Sequence, residues 1–349
     1  MTNITSGSPG LKSLGPVRRR AVSLSPRELI KAGTLFPENK TPLLIQPAVE
    51  GLDLPALAAG QREEIEGHLL RSGAILFRNF SLKTVSEFEH FVRAVSGELL
   101  DYVDQTSPRH KVSSHVYTST DHPSDQSIFL HNENSYAYTW PLKIFFFCRT
   151  AARQGGETPI ADVRKVYERI DARVRRPFEE KGWMLVRNYG GGIGLSWQTV
   201  FQTEDKAAVE DYCREAGIEA EWKDGDRLRT RQVRRAVARH PRTGETVWFN
   251  HAAFFHVTTL PAPIRESLLA QFGWEELPYN TYYGDGSAIE TTALEEIREA
   301  YRRETITFPW QAGDLLMLDN MLTAHGRRPF EGPREVVVGM SEPFRSEEA

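Results

Sequence analysis

Two histidines and a glutamate are the residues of this chain best suited to hold a metal ion: His131, Glu133 and His325. Because side chains two apart on a β-strand point to the same face, a strand through Glu133 would present this carboxylate beside the His131 imidazole. Two histidines with one carboxylate are typical of iron(II) sites that keep coordination positions open. The His-x-Glu pair alone is weak, because this content of histidines and acids makes roughly one such pair expected by chance. The alternative is a surface histidine beside a solvated glutamate.

Arg334 is a second residue whose position could serve chemistry. It lies nine residues after His325 and directly before the apolar segment that begins at Val336, where an inward guanidinium needs a partner. Such an arginine could bind a carboxylate through two parallel hydrogen bonds, as a dicarboxylate cosubstrate would require. An exposed arginine at a strand edge is the alternative.

These residues belong to a set of motifs whose order is more specific than any single member. The matching segments are Gly73-Ala74-Ile75-Leu76-Phe77-Arg78, His131-Asn132-Glu133-Asn134-Ser135-Tyr136, Gly155-Gly156-Glu157-Thr158-Pro159-Ile160-Ala161-Asp162, and Trp310-Gln311-Ala312-Gly313-Asp314 followed by Asp319-Asn320, His325 and Arg334. In them the sequence resembles the taurine dioxygenase and clavaminate synthase-like family of iron(II)- and 2-oxoglutarate-dependent oxygenases, in the branch found beside peptide-synthetase genes. The resemblance covers most of residues 43–345.

The resemblance implies a role for each site residue. His131, Glu133 and His325 would ligate iron(II). Arg334 would bind the distal carboxylate of 2-oxoglutarate, Thr158 would assist through its hydroxyl, and O2 would be the other reactant. Glutamate stands at position 133 where the taurine dioxygenase side of the family has aspartate, which moves the likeness toward clavaminate synthase. The presence of this carboxylate argues against halogenation, because related halogenases lack it so that chloride can bind.

The same resemblance implies hydroxylation of an amino acid or amino-acid-derived substrate, free or tethered to a carrier protein, in the biosynthesis of a natural product such as an antibiotic. Desaturation, epoxidation and cyclisation stay open, because all begin with the same oxidant. Asn134, Ser135, Tyr136 and Asn250 are candidate substrate residues, although each could equally be a hydrogen-bonded structural group. For His251 and His256 we prefer the structural interpretation.

Hydrophobic patterning predicts a mainly β fold with inserted helices, and the resemblance adds a double-stranded β-helix, or jelly-roll, core. The predicted strands include residues 44–45, 74–77, 127–131, 143–148, 315–318 and 335–340. The predicted helices cover residues 61–71, 85–95, 163–170, 203–216 and 293–303. The last two strands are separated by a predicted loop that contains His325.

Composition sets the broad class of the protein. Hydrophobic residues at 40 %, charged residues at 26 % and a net charge of −4 indicate a globular protein with no overall charge reason to bind nucleic acid. The longest apolar run, residues 144–148, is far shorter than the roughly 20 residues of a membrane-spanning helix. Cys148 and Cys213 are too few for a disulfide framework, which favours the cytoplasm. We predict a flexible arm over residues 1–25 and a single oxygenase domain over 26–349, with homo-oligomerisation open.

Two further segments bear on partners and on rival functions. Residues 227–242, here called the arginine-rich segment, hold seven arginines; they most simply predict a solvated face, and could steer an acidic carrier domain.

Residues 190–194 are glycine-rich but fail the dinucleotide fingerprint, because Leu195 occupies the last glycine position, and they are predicted to form a loop. No Gly-x-Ser-x-Gly hydrolase motif occurs. A jelly-roll metalloprotein without oxidative chemistry is the main rival, although such sites usually need more histidines.

Overall fold

The structure, a computed structural model, describes residues 26–101, 111–113, 115–119 and 122–345. Its strands are β1 (Ile30–Phe36), β2 (Asn39–Pro47), β3 (Ala74–Phe77), β4 (Tyr117–Thr118), β5 (Ile128–His131), β6 (Thr139–Thr150), β7 (Gln154–Gly155), β8 (Ile160–Asp162), β9 (Trp183–Tyr189), β10 (Ile218–Lys223), β11 (Arg227–Arg234), β12 (Val237–Arg239), β13 (Thr246–Trp248), β14 (Tyr279–Tyr283), β15 (Leu315–Asp319), β16 (Thr323–Arg327), β17 (Phe330–Glu331) and β18 (Glu335–Arg345). The predicted arm lies outside the described residues, so it stays a prediction, as does the single domain.

The helices are inserted at several points among the strands along the chain. They are α1 (Leu54–Gly60), α2 (Arg62–Ser72), α3 (Val85–Ser96), α4 (Val163–Arg169), α5 (Ala172–Lys181), α6 (Trp197–Phe201), α7 (Lys206–Glu215), α8 (Ala252–Phe255), α9 (Ala262–Phe272) and α10 (Thr291–Glu304), with short 3-10 helices at Pro26–Leu29 and Val257–Thr259. The prediction of a mainly β fold with inserted helices is confirmed. Within the described residues, no helix is long and apolar enough to cross a membrane.

A seven-stranded sheet in the order β1-β2-β3-β15-β6-β18-β4 forms the larger wall of the core. Because side chains alternate across a strand, the continuous apolar run of β6 serves both faces of this sheet. Phe145 and Phe147 pack in one cluster with the buried side chains of α1, α2 and α3. Ile144 and Phe146 point to the opposite face and pack in a second cluster with Ile160 of β8.

The second wall is a three-stranded sheet in the order β5-β16-β8. Its far side is covered by helices, because Ala161 and Ala324 pack with Val166 of α4 and Ile297 of α10. The molecule is therefore layered as helices, seven-stranded sheet, three-stranded sheet and helices. The metal-site residues lie on the three-stranded sheet and directly after it, so they face the interior between the two walls.

Strand β16 differs from the prediction, which placed His325 in a loop. The segment Thr323–Arg327 contains a glycine and only one β-branched residue, so its own strand propensity is weak. Pairing with β5 on one side and β8 on the other nevertheless holds it extended. Gly326 is required there, because a Cβ at this position would lie 2.6 Å from the carbonyl oxygen of Ile128 in β5.

A buried ion pair explains two of the motifs quoted above. Arg78, directly after β3, donates to Asp314 from Nε at 2.9 Å and from Nη2 at 2.6 Å, and Nη2 also donates to the Pro309 carbonyl at 2.8 Å. Both side chains are at least nine-tenths buried. This two-pronged contact fixes the start of β15 against the end of β3, so these motif residues support the sheet.

A separate four-stranded sheet, β10-β11-β9-β14, lies beside the core. Helix α7, predicted as an amphipathic surface helix over 203–216, packs Val209 and Cys213 against Tyr189 and Leu228 of this sheet. Gln232 of β11 donates from Nε2 to the Tyr136 carbonyl at 2.8 Å. That contact joins the four-stranded sheet to the segment that follows the metal motif.

Candidate metal centre

His131 and His325 lie directly opposite each other on neighbouring strands. His131 ends β5, His325 is the central residue of β16, and the two are register partners with ring centroids 4.5 Å apart. Glu133 completes the group, with Oε2 3.5 Å from His325 Nε2. One ligand atom from each residue lies within 4.8 Å of the other two. The structure thus brings together the three side chains that the sequence proposed as metal ligands.

Glu133 reaches this position by a different route from the predicted one. The predicted strand 127–131 corresponds to β5, which ends at His131, but the same-face argument from strand geometry fails for Glu133, because Glu133 lies in a turn. The buried Asn320 imposes that turn: its Oδ1 accepts from the Glu133 N–H at 2.8 Å, and its Nδ2 donates to the Glu133 carbonyl at 2.9 Å. Asn132 Nδ2 donates in return to the Asn320 carbonyl at 2.6 Å. The backbone of the motif is therefore clamped by one amide from the end of β15.

The donor atoms and their surroundings fit a divalent transition metal. His131 Nδ1 lies 2.9 Å from the Phe129 carbonyl, so Nδ1–H donates there and Nε2 is the basic nitrogen. His325 Nε2 faces Glu133, while its buried Nδ1 has no hydrogen-bond partner among the described residues. The ring centroid of Phe254 lies 4.7 Å from that of His131, and the ring centroid of Phe146 lies 5.1 Å from that of His325. Two imidazoles and one carboxylate within apolar walls match the donor set preferred by iron(II).

Arg334 lies partly buried directly before β18. Its Nε donates to the Gly156 carbonyl at 2.8 Å, and its Nη1 donates to Ser119 Oγ at 3.1 Å. Burial, and next the charge of Arg327, lowers the pKa of the Arg334 guanidinium to about 10. No carboxylate within the described ranges forms an ion pair with it. Gly156 permits this approach, because a Cβ there would lie 2.9 Å from Arg334 Cδ.

Thr158 follows Gly156 by two residues and is almost fully buried. Its Oγ1 accepts a hydrogen bond from Trp310 Nε1 at 3.2 Å. Because that bond occupies a lone pair, the hydroxyl proton remains available to donate to another acceptor. Thr158 and Arg334 are thus linked through one short segment on the inner side of the core.

The candidate substrate residues are all buried, and each has an internal contact. Asn134 adopts a positive φ of 54° in the turn after Glu133, and the Tyr136 hydroxyl donates to its Oδ1 at 3.3 Å. Ser135 Oγ lies 2.6 Å from His251 Nδ1. Asn250 donates to the Ala236 carbonyl at 2.8 Å and accepts from the Ala252 N–H at 3.0 Å, so its amide fixes the backbone around His251.

His251 and His256, both interpreted as structural from the sequence, lie in different surroundings. His256 Nδ1 accepts from the Thr258 N–H at 3.2 Å and so caps a 3-10 helix; burial, followed by the charge of Arg298, lowers its pKa to about 4. His251 instead lies against the metal residues, with its ring centroid 5.6 Å from that of His131. Burial, and next the charge of His131, holds the pKa of His251 well below its usual value.

Comparison with known proteins identifies the family. The profile of the family described as taurine catabolism dioxygenase TauD, TfdA family, matches residues 39–340. The chain belongs to the TauD/TfdA family. This confirms the predicted enzyme class, a 2-oxoglutarate-dependent dioxygenase, together with iron and 2-oxoglutarate as its cofactor and cosubstrate.

Two relatives resemble this TauD/TfdA protein over most of its length. The chain is 42 % identical over 279 residues to the dapdiamide synthesis protein DdaC of Enterobacter agglomerans, covering 80 % of this chain and 85 % of the relative. It is 30 % identical over 343 residues to a clavaminate synthase-like protein of Arabidopsis thaliana, covering 90 % and 99 %.

The fold matches that of PvcB from Pseudomonas aeruginosa at a TM-score of 0.57 and 16 % identity, over 93 % of this chain and 96 % of that one. It also matches AAD-2, solved with Mn(II) and N-oxalylglycine, at a TM-score of 0.52 and 17 % identity, over 91 % and 98 %. These likenesses confirm the predicted jelly-roll core.

The arginine-rich segment of this TauD/TfdA protein is not the continuous solvated face that its charge predicted. Alternation along β11 puts Arg229 and Arg231 on one face, where Arg229 pairs with Glu276 at 2.7 Å and Arg231 pairs with Glu219 and Glu221, each at 3.0 Å. Arg234 donates to the Ala216 carbonyl at 2.7 Å and to the Tyr136 carbonyl at 3.3 Å. These arginines neutralise acids or hold backbone. Arg235, Arg239 and Arg242 are the exposed members of the segment, and Arg242 pairs with Glu342 at 2.6 Å.

The glycine-rich residues 190–194 form a surface loop, as predicted. The loop borders a cleft of about 270 Å³ that is also lined by Phe272 and by the ion pair between Lys223 and Glu276, whose charged atoms lie 2.7 Å apart. None of the three metal-site residues lines this cleft. It is therefore separate from the metal centre.

Asn320 is the site residue whose role the sequence did not reveal, although it stood in a quoted motif. Replacing Asn320 by Ala removes the hydrogen bonds that hold the turn at Glu133 and is expected to weaken iron(II) binding by about 10–100-fold, as for other groups that orient metal ligands. Anaerobic equilibrium dialysis against iron(II) measures this. Asn188→Ala, which also deletes an amide bonded to backbone carbonyls but lies at the separate cleft, is the matched control. Equal iron affinity of the Asn320 variant and the wild type would disprove the clamping role.

Proposed function

We propose that this protein hydroxylates an amino acid or amino-acid-derived substrate in natural-product biosynthesis, with iron held by His131, Glu133 and His325 and 2-oxoglutarate held by Arg334 and Thr158. The observation that carries the proposal is that one ligand atom from each of the three side chains lies within 4.8 Å of the other two. Arg334, in the same core, has no carboxylate partner among the described residues. When bound, iron(II) activates O2 together with 2-oxoglutarate and so supplies the oxidant for a substrate C–H bond.

The ligand residues contribute a fixed geometry. His131 and His325 are held in register by the ladder between β5 and β16, and Glu133 is fixed by the Asn320 amide through its main chain. A site whose ligands are set before the metal binds loses little free energy to reorganisation. Phe146 and Phe254 border it with apolar surface.

Arg334 and Thr158 are placed to recognise the dicarboxylate cosubstrate. A guanidinium partly removed from water, with a lowered pKa and two hydrogen bonds only to neutral acceptors, favours a carboxylate as its remaining partner. The Thr158 hydroxyl, with a lone pair already engaged by Trp310, is free to donate to an oxygen of the same ligand.

The substrate class rests on the resemblance and on the names of the relatives. DdaC is described as a dapdiamide synthesis protein, and PvcB as an oxygenase of an isonitrile synthetic pathway, so a biosynthetic role is supported at the level of pathway type. A carrier-tethered substrate remains the alternative to a free one, with the exposed Arg239 as a charge available to an acidic carrier. The proposed location is the cytoplasm, supported by two buried free cysteines.

The test is anaerobic titration of iron(II) and 2-oxoglutarate into the full-length protein, followed by exposure to oxygen with a panel of free and carrier-bound amino acids. The expected result is succinate formation coupled to oxygen uptake and a product that carries one added oxygen atom by mass. A product lacking two hydrogens would indicate desaturation or cyclisation by the same oxidant. Metal binding with no succinate under any condition would favour the non-oxidative jelly-roll metalloprotein.

A further inference from the structure

His251 is a third histidine at the metal centre that lies outside the cluster of candidate ligands. It directly precedes α8, in a backbone segment fixed by the two Asn250 hydrogen bonds and by Thr281, whose Oγ1 donates to the Ala252 carbonyl at 2.7 Å. Its ring stacks on Phe255 at 4.7 Å and meets Tyr136 edge-on at 5.1 Å. Position and ring orientation are thus set by packing on two sides.

The contact with Ser135 determines which ring nitrogen carries the proton. Ser135 Oγ and His251 Nδ1 are 2.6 Å apart, and Ser135 Oγ has no other partner among the described residues. If Nδ1 carried the proton, the buried hydroxyl would keep its own proton without an acceptor, which is costly. Ser135 therefore donates to Nδ1, and the ring carries its proton on Nε2.

The Nε2–H of His251 is a donor without an assigned acceptor. In the described part of the chain no group accepts a hydrogen bond from it, although the residue is only 2 % exposed. A row of rings leads outward from this point: His251 stacks on Phe255, and Phe255 meets Tyr279, whose side chain is 40 % exposed, at 5.4 Å. His251 thus lies between the metal residue His131 and the protein surface.

We propose that His251 binds the substrate, by donating a hydrogen bond from Nε2 to a carboxylate or carbonyl oxygen of the molecule held beside the metal. The inference rests on the proposed function, because it assigns the acceptor to the substrate of that reaction. It also gives Ser135 and Asn250 a role as positioning residues: Ser135 sets the tautomer, and Asn250 sets the backbone. Both were proposed from the sequence as direct substrate contacts.

The test compares His251→Phe, which removes the donor and keeps a ring, with His251→Gln, which can accept from Ser135 through its carbonyl and donate through its amide. The probes are the twenty common L-amino acids, their C-terminal amides and their thioesters with N-acetylcysteamine. Each variant is assayed for iron(II) and 2-oxoglutarate affinity, for succinate formed without substrate, and for KM and oxygenated product with each probe set. His256→Gln, which keeps an acceptor for the Thr258 N–H, is the matched control.

For His251→Phe we expect unchanged 2-oxoglutarate affinity and substrate-free succinate formation, and a KM raised about tenfold to a hundredfold if the acceptor is a carboxylate, or about twofold to tenfold if it is a neutral carbonyl. His251→Gln should recover most of the loss. Ser135→Ala, which keeps the ring but frees its tautomer, should show a smaller shift in the same direction. A large effect on free amino acids alone identifies the carboxylate; an effect on amides and thioesters as well identifies the carbonyl.

Several outcomes would overturn the proposal. The Nε2–H would not be used if His251→Phe and Ser135→Ala both kept the wild-type KM. The same would follow if His251→Phe and His251→Gln folded normally and showed equal increases in KM. Absence of stimulation of the wild type by all three probe sets would reject the proposed acceptor class. Failure of the wild type to bind iron(II) or 2-oxoglutarate would instead reject the proposed function, so the two failures are distinguishable.

Discussion

Substitution of Glu133 by Gln is expected to abolish turnover while leaving the fold intact. The carboxylate is the only anionic donor in the cluster, and a neutral amide oxygen is a much weaker ligand for a divalent ion. Loss of a group that merely orients a ligand costs about 10–100-fold in metal affinity, so loss of the ligand itself should exceed about 100-fold. The hydrogen bonds from Asn320 use the main chain of Glu133 and therefore remain. Iron content after anaerobic dialysis and succinate formation at high iron are the measurements.

Glu335→Gln provides the control for this change, because Glu335 is an exposed carboxylate paired with Arg149 and lies outside the cluster. It should retain wild-type iron binding and turnover. If Glu133→Gln bound iron and formed succinate as well as this control did, the ligand role of Glu133 would be refuted. A variant that bound iron normally yet was inactive would leave Glu133 a role in chemistry only.

The second large effect is expected for Arg334→Ala. Removing the guanidinium leaves the distal carboxylate of 2-oxoglutarate unpaired at a partly buried position, which costs roughly 2–5 kcal/mol. Since each 1.4 kcal/mol is a factor of ten, the dissociation constant should rise from about 30-fold to several thousand-fold. Iron affinity should be unchanged, because the contacts of Arg334 are with Gly156 and Ser119 and not with the ligands. Anaerobic 2-oxoglutarate titration of the iron-loaded protein measures the 2-oxoglutarate affinity, and anaerobic dialysis against iron(II) measures the iron affinity.

Arg334→Lys separates charge from geometry in the same experiment. Lysine restores a positive charge but cannot form two parallel hydrogen bonds, so its loss should be smaller than that of alanine. Arg149→Ala, at an exposed arginine near the start of β18, should bind 2-oxoglutarate as the wild type does. An unchanged titration for Arg334→Ala would remove Arg334 from the cosubstrate site.

The sequence predicted the identity of the site residues better than it predicted their local structure. His131 and His325 were chosen from residue type, motif order and resemblance, none of which requires knowledge of the chain's path. The turn at Glu133 could not be predicted from neighbouring residues, because it is imposed by Asn320, which lies 187 positions away. Strand β16 was missed for the same kind of reason, since its extended form comes from pairing on both sides.

Regular elements with strong apolar patterns were predicted closely, and the deviations have physical causes. Helix α3 occupies Val85–Ser96, close to the predicted 85–95, because Phe88, Val92 and Val95 form its buried stripe. The prediction started this strand at Lys143, but β6 begins at Thr139. The added part contains Pro141, and proline inside a strand argues against a strand at the level of sequence. In the fold Pro141 lies opposite Pro343 of β18. The Asn320 amide donates to the Pro141 carbonyl.

The arginine-rich segment shows what local charge counting misses. The acids that pair with it, Glu219, Glu221 and Glu276, come from β10 and from the segment before β14, so only the fold reveals that Arg229 and Arg231 are neutralised. Charge reversal of Arg234 would disrupt its bonds to the Ala216 and Tyr136 carbonyls. Carrier docking is therefore better probed at the exposed Arg239.

The pairing of His131 with His325 across two strands also bears on how the protein persists in the cell. An ion bound by residues 131, 133 and 325 would act as a cross-link between segments of the chain that meet only after folding. Because the unfolded chain offers no such arrangement, binding stabilises the native state by an amount that grows with the free concentration of the ion relative to its dissociation constant. Iron supply would then govern how long the enzyme survives, as well as whether it turns over.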